Sequence, residues 1–379
     1  MALVLTEEQR ILRDSARELL DTHAPVAALR QLRDTRDETG FSRELWARLA
    51  ELGWSGMHLP ETYGGSEFGF QGLAVAMEEA GRTLTATPML SSVVLGATLV
   101  NALGTDTQKQ QLLNGVIEGN LLLALAVDEL PRHQPEQIRL KAVPTGDGYT
   151  LAGKKTFVLD GHVADNLLVV ARTGGADDDP DGLSVLVVSA NTPGITITRT
   201  WMTDSRNAAN IEFDEVAVGK HALLGSEGGA GAAIEQVLDL GRIALAAEML
   251  GSAQEAFDRT IAYLKLREQF GVLIGSFQAL KHRAAHMFNE LELTRSAVYA
   301  AASAVDDASS DVALLASLAK GQASKTFDLV SAEGVQMHGG IGMTDDEEIG
   351  FFLKRARVAS QTLGDANFHR DRYARLSGF

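Results

Sequence analysis

The spacing of the apolar residues changes twice along the chain, and these changes constrain the fold more than any other feature. From Thr6 to about Gly119, apolar residues recur three and four positions apart, as from Ala16 to Leu19 and Leu20, which is typical of amphipathic helices. From about Leu121 to Leu224 they form short β-rich runs separated by Gly, Asp and Pro, which indicates strands. Helical spacing then returns and continues nearly to the end.

This pattern predicts an α+β fold that is mostly α, with three domains. We expect an N-terminal helical domain over residues 1–120, a central β domain over 121–230 and a C-terminal helical bundle domain over 231–379. The central strands follow one another without helices between them, which favours a small sandwich or barrel. A length of 379 residues agrees with two or three units, since one domain takes about 150 residues.

The charge and the lack of cysteine exclude several classes of function. Lys and Arg number 34 against 50 Asp and Glu, a formal net charge of -16, so the surface would repel nucleic acid and anionic lipid. An anionic ligand therefore needs a local cationic site. Without cysteine the chain has no disulfide, thiolate nucleophile or Cys-ligated metal. We see no membrane span and no signal or transit peptide, and we expect a cytoplasmic protein.

Two segments near the C-terminus could contact a phosphate-bearing ligand. In QMHGGIGMT, from Gln336, adjacent glycines would let backbone N–H groups approach a diphosphate or a sugar, although an ordinary helix-ending turn is the alternative. The largely helical segment LREQFGVLIGSFQALKH contains Arg267, which could pair with phosphate or be a solvated helix residue. Because His338 and His369 have no neighbouring ligand at suitable spacing, we predict no metal site.

Longer motifs occur in a fixed order along the whole chain. They are LTEEQRILRDSAREL, LAELGWSGMHLPETYGG, MEEAGRTL, GTDTQKQQLLNGVIEG, GYTLAGKKTFVLDGHVADNLLVVAR, IEFDEVAV, REQFG and QMHGGIGMT. Together they resemble the acyl-CoA dehydrogenase family. The resemblance implies the acyl-CoA dehydrogenase fold: an N-terminal helical domain, a β domain and a C-terminal four-helix bundle, assembled as a tetramer with FAD near a subunit interface.

The resemblance also implies an activity. It is that of a flavoprotein oxidoreductase acting on CH–CH groups, which desaturates an acyl-CoA thioester in the β-oxidation of fatty acids or steroid side chains. An electron-transferring flavoprotein would be the electron acceptor. The expected assembly is a homo- or hetero-oligomer, with a dimer of dimers favoured.

Cofactor residues follow from the same resemblance. Six positions match the segments that hold the FAD nucleotide, the first three of them reaching the nucleotide of a neighbouring subunit: Arg267, Gln269, Phe270, Gln336, Gly339 and Gly340. Five positions of the central domain match the segments that contact the flavin: Val127, Asp128, Phe157, Val158 and Leu159. Phe157 stands where the family has a tryptophan and can still cover a flavin ring.

The family's catalytic glutamate is absent. Members carry it either after the QMHGGIG-type turn or beside an arginine early in the first bundle helix, and here those positions hold Leu363 and Gly241. Neither residue can abstract a proton. Asp365 is the candidate base within the chain, with a helix cap as its alternative role. Arg242, directly after Gly241, is a candidate for binding substrate.

Four functions are compatible with this pattern. The chain could be one half of a heteromeric acyl-CoA dehydrogenase whose partner supplies the base, which would account for both replaced glutamates. It could instead be a homotetrameric dehydrogenase that uses Asp365. A non-catalytic structural subunit with a degenerate flavin site is the third possibility. The fourth is a flavin oxidase or monooxygenase on the same fold.

Overall fold

The computed structural model describes residues 4–177, 179 and 181–379, so the first three residues of the predicted N-terminal domain and two of the central domain lie outside it. The chain divides into two compact units. The first comprises Met1–Thr35, Gly69–Thr85 and Arg242–Phe379, and the second comprises Arg36–Phe68 and Ala86–Gly241. The three predicted domain boundaries stay a prediction. Within the described residues, no helix is long and apolar enough to cross a membrane.

Helices precede and follow the strands, which confirms the mostly helical α+β fold. Capping boxes at Thr6 and Thr105, each closed by a glutamine three residues later, start the first and the sixth helix. The helices are α1 (Glu7–His23), α2 (Val26–Thr35), α3 (Arg43–Glu51), α4 (Phe70–Arg82), α5 (Thr98–Leu103), α6 (Asp106–Ile117), α7 (Gly231–Leu266), α8 (Gln278–Asp306), α9 (Val312–His338), α10 (Ile349–Gln361) and α11 (Ala366–Leu376).

Ion pairs to two buried glutamates join helices of the first unit. Arg295 of α8 lies 2.7 Å from the Glu78 carboxylate of α4, which also accepts a hydrogen bond from the Tyr299 hydroxyl. Arg355 of α10 pairs in the same way with Glu248 of α7, at 2.8 Å. Because a buried charge without its partner is costly, these pairs favour one arrangement of the helices.

The strands of the second unit form one mixed sheet, in the order β6-β7-β3-β2-β4-β5-β8, and β1 adds to β4 in parallel. The expected β domain is thus present, with its ladders joined into a single eight-stranded sheet. Its apolar core includes Leu151, Leu167, Leu186 and Ile211. The strands are β1 (Leu123–Ala126), β2 (Lys141–Pro144), β3 (Gly148–Leu159), β4 (Asn166–Arg172), β5 (Leu183–Ser189), β6 (Ile195–Trp201), β7 (Asn207–Gly219) and β8 (Leu223–Leu224).

The segment after α7 differs from the expectation of a largely helical stretch around Arg267. It forms a two-stranded hairpin from β9 (Glu268–Gln269) and β10 (Val272–Leu273). Phe270 and Gly271, at the tip, have φ angles of +57° and +78°. Two successive residues with positive φ end a right-handed helix and suit a two-residue hairpin turn. The helical expectation for this segment was therefore wrong.

Candidate functional site

The hairpin and the glycine turn line one cleft of the first unit, with a volume of about 810 Å³. Four of the six residues predicted to hold the nucleotide line it: Arg267, Gln269, Gly339 and Gly340. Phe270 stands at the hairpin tip with 90% of its surface exposed. Gln336 is exposed in the last turn of α9. The cleft also contains Tyr263 and His338, whose place in it the sequence did not reveal.

The glycines of the turn leave space that the described residues do not fill. Gly339 has a φ of +67°, and a Cβ added to Gly339 or Gly340 would meet no atom within 4 Å. Gly340 lacks a positive φ, so neither backbone strain nor packing within the described residues requires a glycine there. A close approach by something outside the chain does explain it. With the Arg267 guanidinium in the same cleft, a diphosphate fits this surface.

Phe157 lies on an irregularity of β3 in the second unit. The register between β3 and β7 shifts between Lys155 and Val158, and Phe157 has a φ of +53°. Its N–H donates to Asn210 Oδ1 at 3.2 Å, and 37% of its surface is exposed. Bulges of this kind re-aim a side chain. Val158 is buried, whereas Leu159 is half-buried.

The segment that contains Val127 and Asp128 is fixed against β3 directly before Phe157. The buried Lys155 ammonium donates to the Val127 carbonyl at 2.9 Å and to Glu129 Oε1 at 2.7 Å. The Thr156 N–H donates to the Asp128 carbonyl at 2.7 Å. Burial lowers the pKa of Lys155, and the Glu129 carboxylate opposes this shift. The structure therefore brings the two segments predicted to contact flavin side by side.

The Asp128 carboxylate makes its hydrogen bonds to residues of its own loop. Its Oδ2 lies 2.8 Å from His133 Nδ1, and its Oδ1 accepts the Gln134 N–H at 3.1 Å. Because both oxygens have partners within the loop, the carboxylate braces the segment. If residue 128 contacts the flavin, it would do so through its backbone atoms.

The turn between α10 and α11 places Leu363 and Asp365 in different roles. Leu363 is buried, with 8% of its surface exposed and a φ of +58°. Asp365 is the N-cap of α11, where its Oδ1 accepts the N–H groups of Asn367 and Phe368 at 2.9 and 2.8 Å. The alternative role of Asp365 as a helix cap is thus seen directly. Its role as the base stays a prediction.

Two further side chains hold this turn. His369 Nε2 donates to the Leu363 carbonyl at 3.1 Å, and Lys320 Nζ donates to the Gly364 carbonyl at 3.0 Å. Lys320 is fully buried and also bonds Ser324 Oγ and the Ser360 carbonyl. Its three contacts fix the amine between α9 and the end of α10.

The electrostatic surroundings of Lys320 favour its neutral form. Burial, together with the Arg242 and Arg355 guanidinium groups, lowers its pKa to about 7, against the opposing effect of the Asp365 and Asp328 carboxylates. The sequence did not reveal this group, because a lysine in an amphipathic helix is usually solvated.

The second position expected for a base is on α7. Gly241 is buried and carries no side chain. The next residue, Arg242, is also fully buried, and its guanidinium lies 5.5 Å from the centre of the Phe368 ring. This contact fixes the arginine against the first turn of α11. Its role in binding substrate stays a prediction.

Comparison with known proteins identifies the family. Three family models match successive parts of the chain: the acyl-CoA dehydrogenase N-terminal domain over residues 6–120, the middle domain over 134–216 and the C-terminal domain over 227–377. The chain belongs to the acyl-CoA dehydrogenase family. The predicted cofactor, FAD, and the predicted reaction class, oxidation at a CH–CH group, are confirmed with it.

Relatives of this acyl-CoA dehydrogenase are similar over nearly their whole length. A probable acyl-CoA dehydrogenase of Bacillus subtilis, YngJ, is 32% identical, with 98% of each chain covered. Among solved structures, the Tcur3481-Tcur3483 steroid acyl-CoA dehydrogenase is 34% identical, with a TM-score of 0.87 and 98% of each chain covered. The ChsE4-ChsE5 complex of Mycobacterium tuberculosis is 28% identical, with a TM-score of 0.90 and all of each chain covered.

The described residues therefore suit the family's cofactor, but they do not supply the family's usual base at the predicted positions. The cleft of this acyl-CoA dehydrogenase contains a cation and an open glycine turn. At the two positions predicted to match the family's glutamate it has a buried leucine and a buried glycine.

Proposed function

We propose that this acyl-CoA dehydrogenase is one subunit of a heteromeric enzyme in which it holds the FAD nucleotide and a partner chain provides the catalytic carboxylate. The observation that carries the proposal is the turn between α10 and α11. Leu363 is apolar and buried there, and the neighbouring carboxylate of Asp365 is used as a helix cap. A second chain is the simplest source of a base.

The chain's own residues would contribute binding and positioning. Arg267 would pair with the diphosphate, and the turn at Gly339 and Gly340 would let the nucleotide approach the backbone. Phe157 would cover the flavin ring, with backbone N–H groups at Val158 or Leu159 facing it and with Val127 and Asp128 bracing the adjacent loop. When bound, FAD supplies the acceptor for the hydride that leaves the substrate Cβ.

The similar proteins support a shared active site. One of the solved structures is described as a complex of two differently named chains, and another as a steroid acyl-CoA dehydrogenase. We infer an acyl-CoA substrate with a bulky acyl group, because the two positions predicted to match the family's carboxylates hold an apolar side chain, at Leu363, and no side chain, at Gly241. We also propose a dimer of dimers, a cytoplasmic location and an electron-transferring flavoprotein as acceptor.

Purification of the native protein tests this function. We expect a second acyl-CoA dehydrogenase-like chain to co-purify and to be identified by mass spectrometry, with a glutamate at one of the two family positions. The flavin stoichiometry should be below one FAD per chain if the two chains share a site. A homo-oligomer that contains one FAD per chain and oxidises an acyl-CoA would overturn the proposal.

A further inference from the structure

His338, within the motif QMHGGIGMT, lines the cleft and has no role in the proposed function. It is the last residue of α9, directly before the glycine turn. Only 4% of its surface is exposed. A buried polar ring at the edge of an open cleft is positioned to meet a ligand that enters it.

The contacts of the ring define which nitrogen carries the proton. His338 Nδ1 lies 2.7 Å from the Gly334 carbonyl oxygen. A carbonyl oxygen only accepts hydrogen bonds, so Nδ1 must be the donor. In the neutral imidazole, Nε2 is then an acceptor. No described residue makes a hydrogen bond to this Nε2.

The orientation of the ring is also fixed. The Tyr263 ring of α7 stacks on it, with 4.4 Å between ring centres and 26° between planes. Both rings line the cleft together with Arg267 and Gln269. Stacking and the Nδ1 contact together leave the imidazole little freedom to turn, so the acceptor at Nε2 is preorganised.

The chemistry of this acceptor selects one part of a dinucleotide. Diphosphate oxygens are themselves acceptors and cannot pair with a neutral Nε2, whereas Arg267 in the same cleft is a cation that can pair with them. The hydrogen-bond donors in the adenosine half of FAD are the ribose hydroxyls and the adenine amine.

We propose that His338, seated on Tyr263, accepts a hydrogen bond from the adenosine half of FAD and so makes this cleft specific for the dinucleotide over FMN. The inference rests on the nucleotide role of the cleft in the proposed function, but not on the missing base. Its two candidate donors, hydroxyl and amine, share one chemistry and can be separated by ligand analogues.

The test uses the assembled oligomer, stripped of flavin, with binding measured by isothermal titration calorimetry. In His338→Phe, which keeps a stacking ring but removes both nitrogens, the Kd for FAD should rise about fivefold, the value of one ordinary hydrogen bond. The Kd for ADP should rise by the same factor, whereas that for FMN should not change. His23→Phe, which alters an exposed histidine at the end of α1, is the control and should bind FAD like the wild type.

A second arm varies the ligand and leaves the protein intact, so it holds even if His338→Phe folds poorly. Wild-type protein is titrated with an FAD analogue that carries hypoxanthine in place of adenine and with analogues lacking a ribose hydroxyl. The analogue without the donor in question should bind about fivefold more weakly than FAD. Equal affinity for FAD and all these analogues, or an unchanged FAD affinity in a folded His338→Phe, would refute the role of His338. Because both arms measure binding, neither outcome depends on whether a partner supplies the base.

Discussion

The two turns that carry the family motifs in the first unit differ in what fills them. The turn at Gly339 and Gly340 is open, since a Cβ on either glycine would meet no atom of the described part of the chain within 4 Å. At Gly364, in the turn between α10 and α11, a Cβ would meet Phe368 Cδ1 at 2.4 Å. The first turn therefore presents a surface to a ligand, whereas the second is packed and hydrogen-bonded by its own chain.

We interpret this difference as one between a turn suited to binding and a turn that lacks a catalytic residue. In the proposed function the open turn would receive the nucleotide, whereas the closed turn has its shape but no carboxylate at residue 363 that could act as a base. Lys320, His369 and Asp365 all stabilise the closed turn. We infer that the closed turn is maintained as a structural element. Four sets of substitutions test whether the two turns differ in this way.

The largest expected effect comes from restoring a carboxylate to the closed turn. In Leu363→Glu, the chain on its own, loaded with FAD, should gain reduction of its flavin by acyl-CoA at least about 100-fold above the wild-type chain, since a positioned general base contributes about 10² to 10⁴. Stopped-flow absorbance would measure it. Leu363→Gln, which has the same length but no basic group, is the matched control and should stay inactive. Equal rates in the two variants would show that residue 363 does not face the substrate.

A matched pair of glycine substitutions tests the contrast directly. Gly364→Ala should lower the free energy of unfolding by about 2 kcal/mol, because φ there is +103° and the added methyl group overlaps Phe368. Gly340→Ala should leave stability unchanged but weaken FAD binding about tenfold, or about 1.4 kcal/mol. Denaturant unfolding and calorimetry measure the two effects. The contrast fails if both variants lose stability equally.

The buried lysine should make stability depend on pH. Its pKa is about 7 in the folded state and near 10.4 in the unfolded chain, so the unfolded state binds more protons between these values. Stability should therefore rise with pH, by about 1 kcal/mol from pH 7 to 8 for this one group. Lys320→Met removes the titrating group. The unfolding free energy of the wild type minus that of the variant should therefore rise by this amount between pH 7 and pH 8. A difference that does not vary with pH would contradict the burial of a titrating amine.

The smallest expected effect distinguishes the two roles of Asp365. Asp365→Asn keeps an oxygen that can accept the Asn367 and Phe368 N–H groups, so stability and the activity of the assembled enzyme should change little. Asp365→Ala should cost about 1 kcal/mol of stability through loss of the cap. Thermal unfolding and steady-state rates measure both. Abolished activity in a stable Asp365→Asn would instead make Asp365 the base.

The sequence predicted the parts of the molecule that depend on periodicity and on motif order. Helix and strand segments followed from apolar spacing. The segments around Arg267 and Gly340 were both predicted to contact a nucleotide, and the structure places these two residues in one cleft, while their binding role stays a prediction. The hairpin itself was missed, because an apolar run through Phe270 has the spacing of a helix and the positive φ appears only in three dimensions. Gly271 was the one available signal.

The roles of individual side chains were less predictable. A carboxylate two residues beyond Leu363 suits both a base and a helix cap, and only the direction of its oxygens separates the two. The sequence did not indicate the roles of Lys320 and His338. The first is buried only because α10 and α11 pack on α9, and the second acquires its tautomer from a carbonyl one helical turn away.

The most direct test of the account is anaerobic, single-turnover reduction of the flavin in the isolated chain. The chain is loaded with FAD and mixed with straight-chain and steroid side-chain acyl-CoA thioesters, alone and after addition of the co-purified partner. We predict no bleaching of the flavin absorbance by the chain alone and rapid bleaching once the partner is present. Rapid bleaching by the chain alone would show that it carries its own base and would contradict the account.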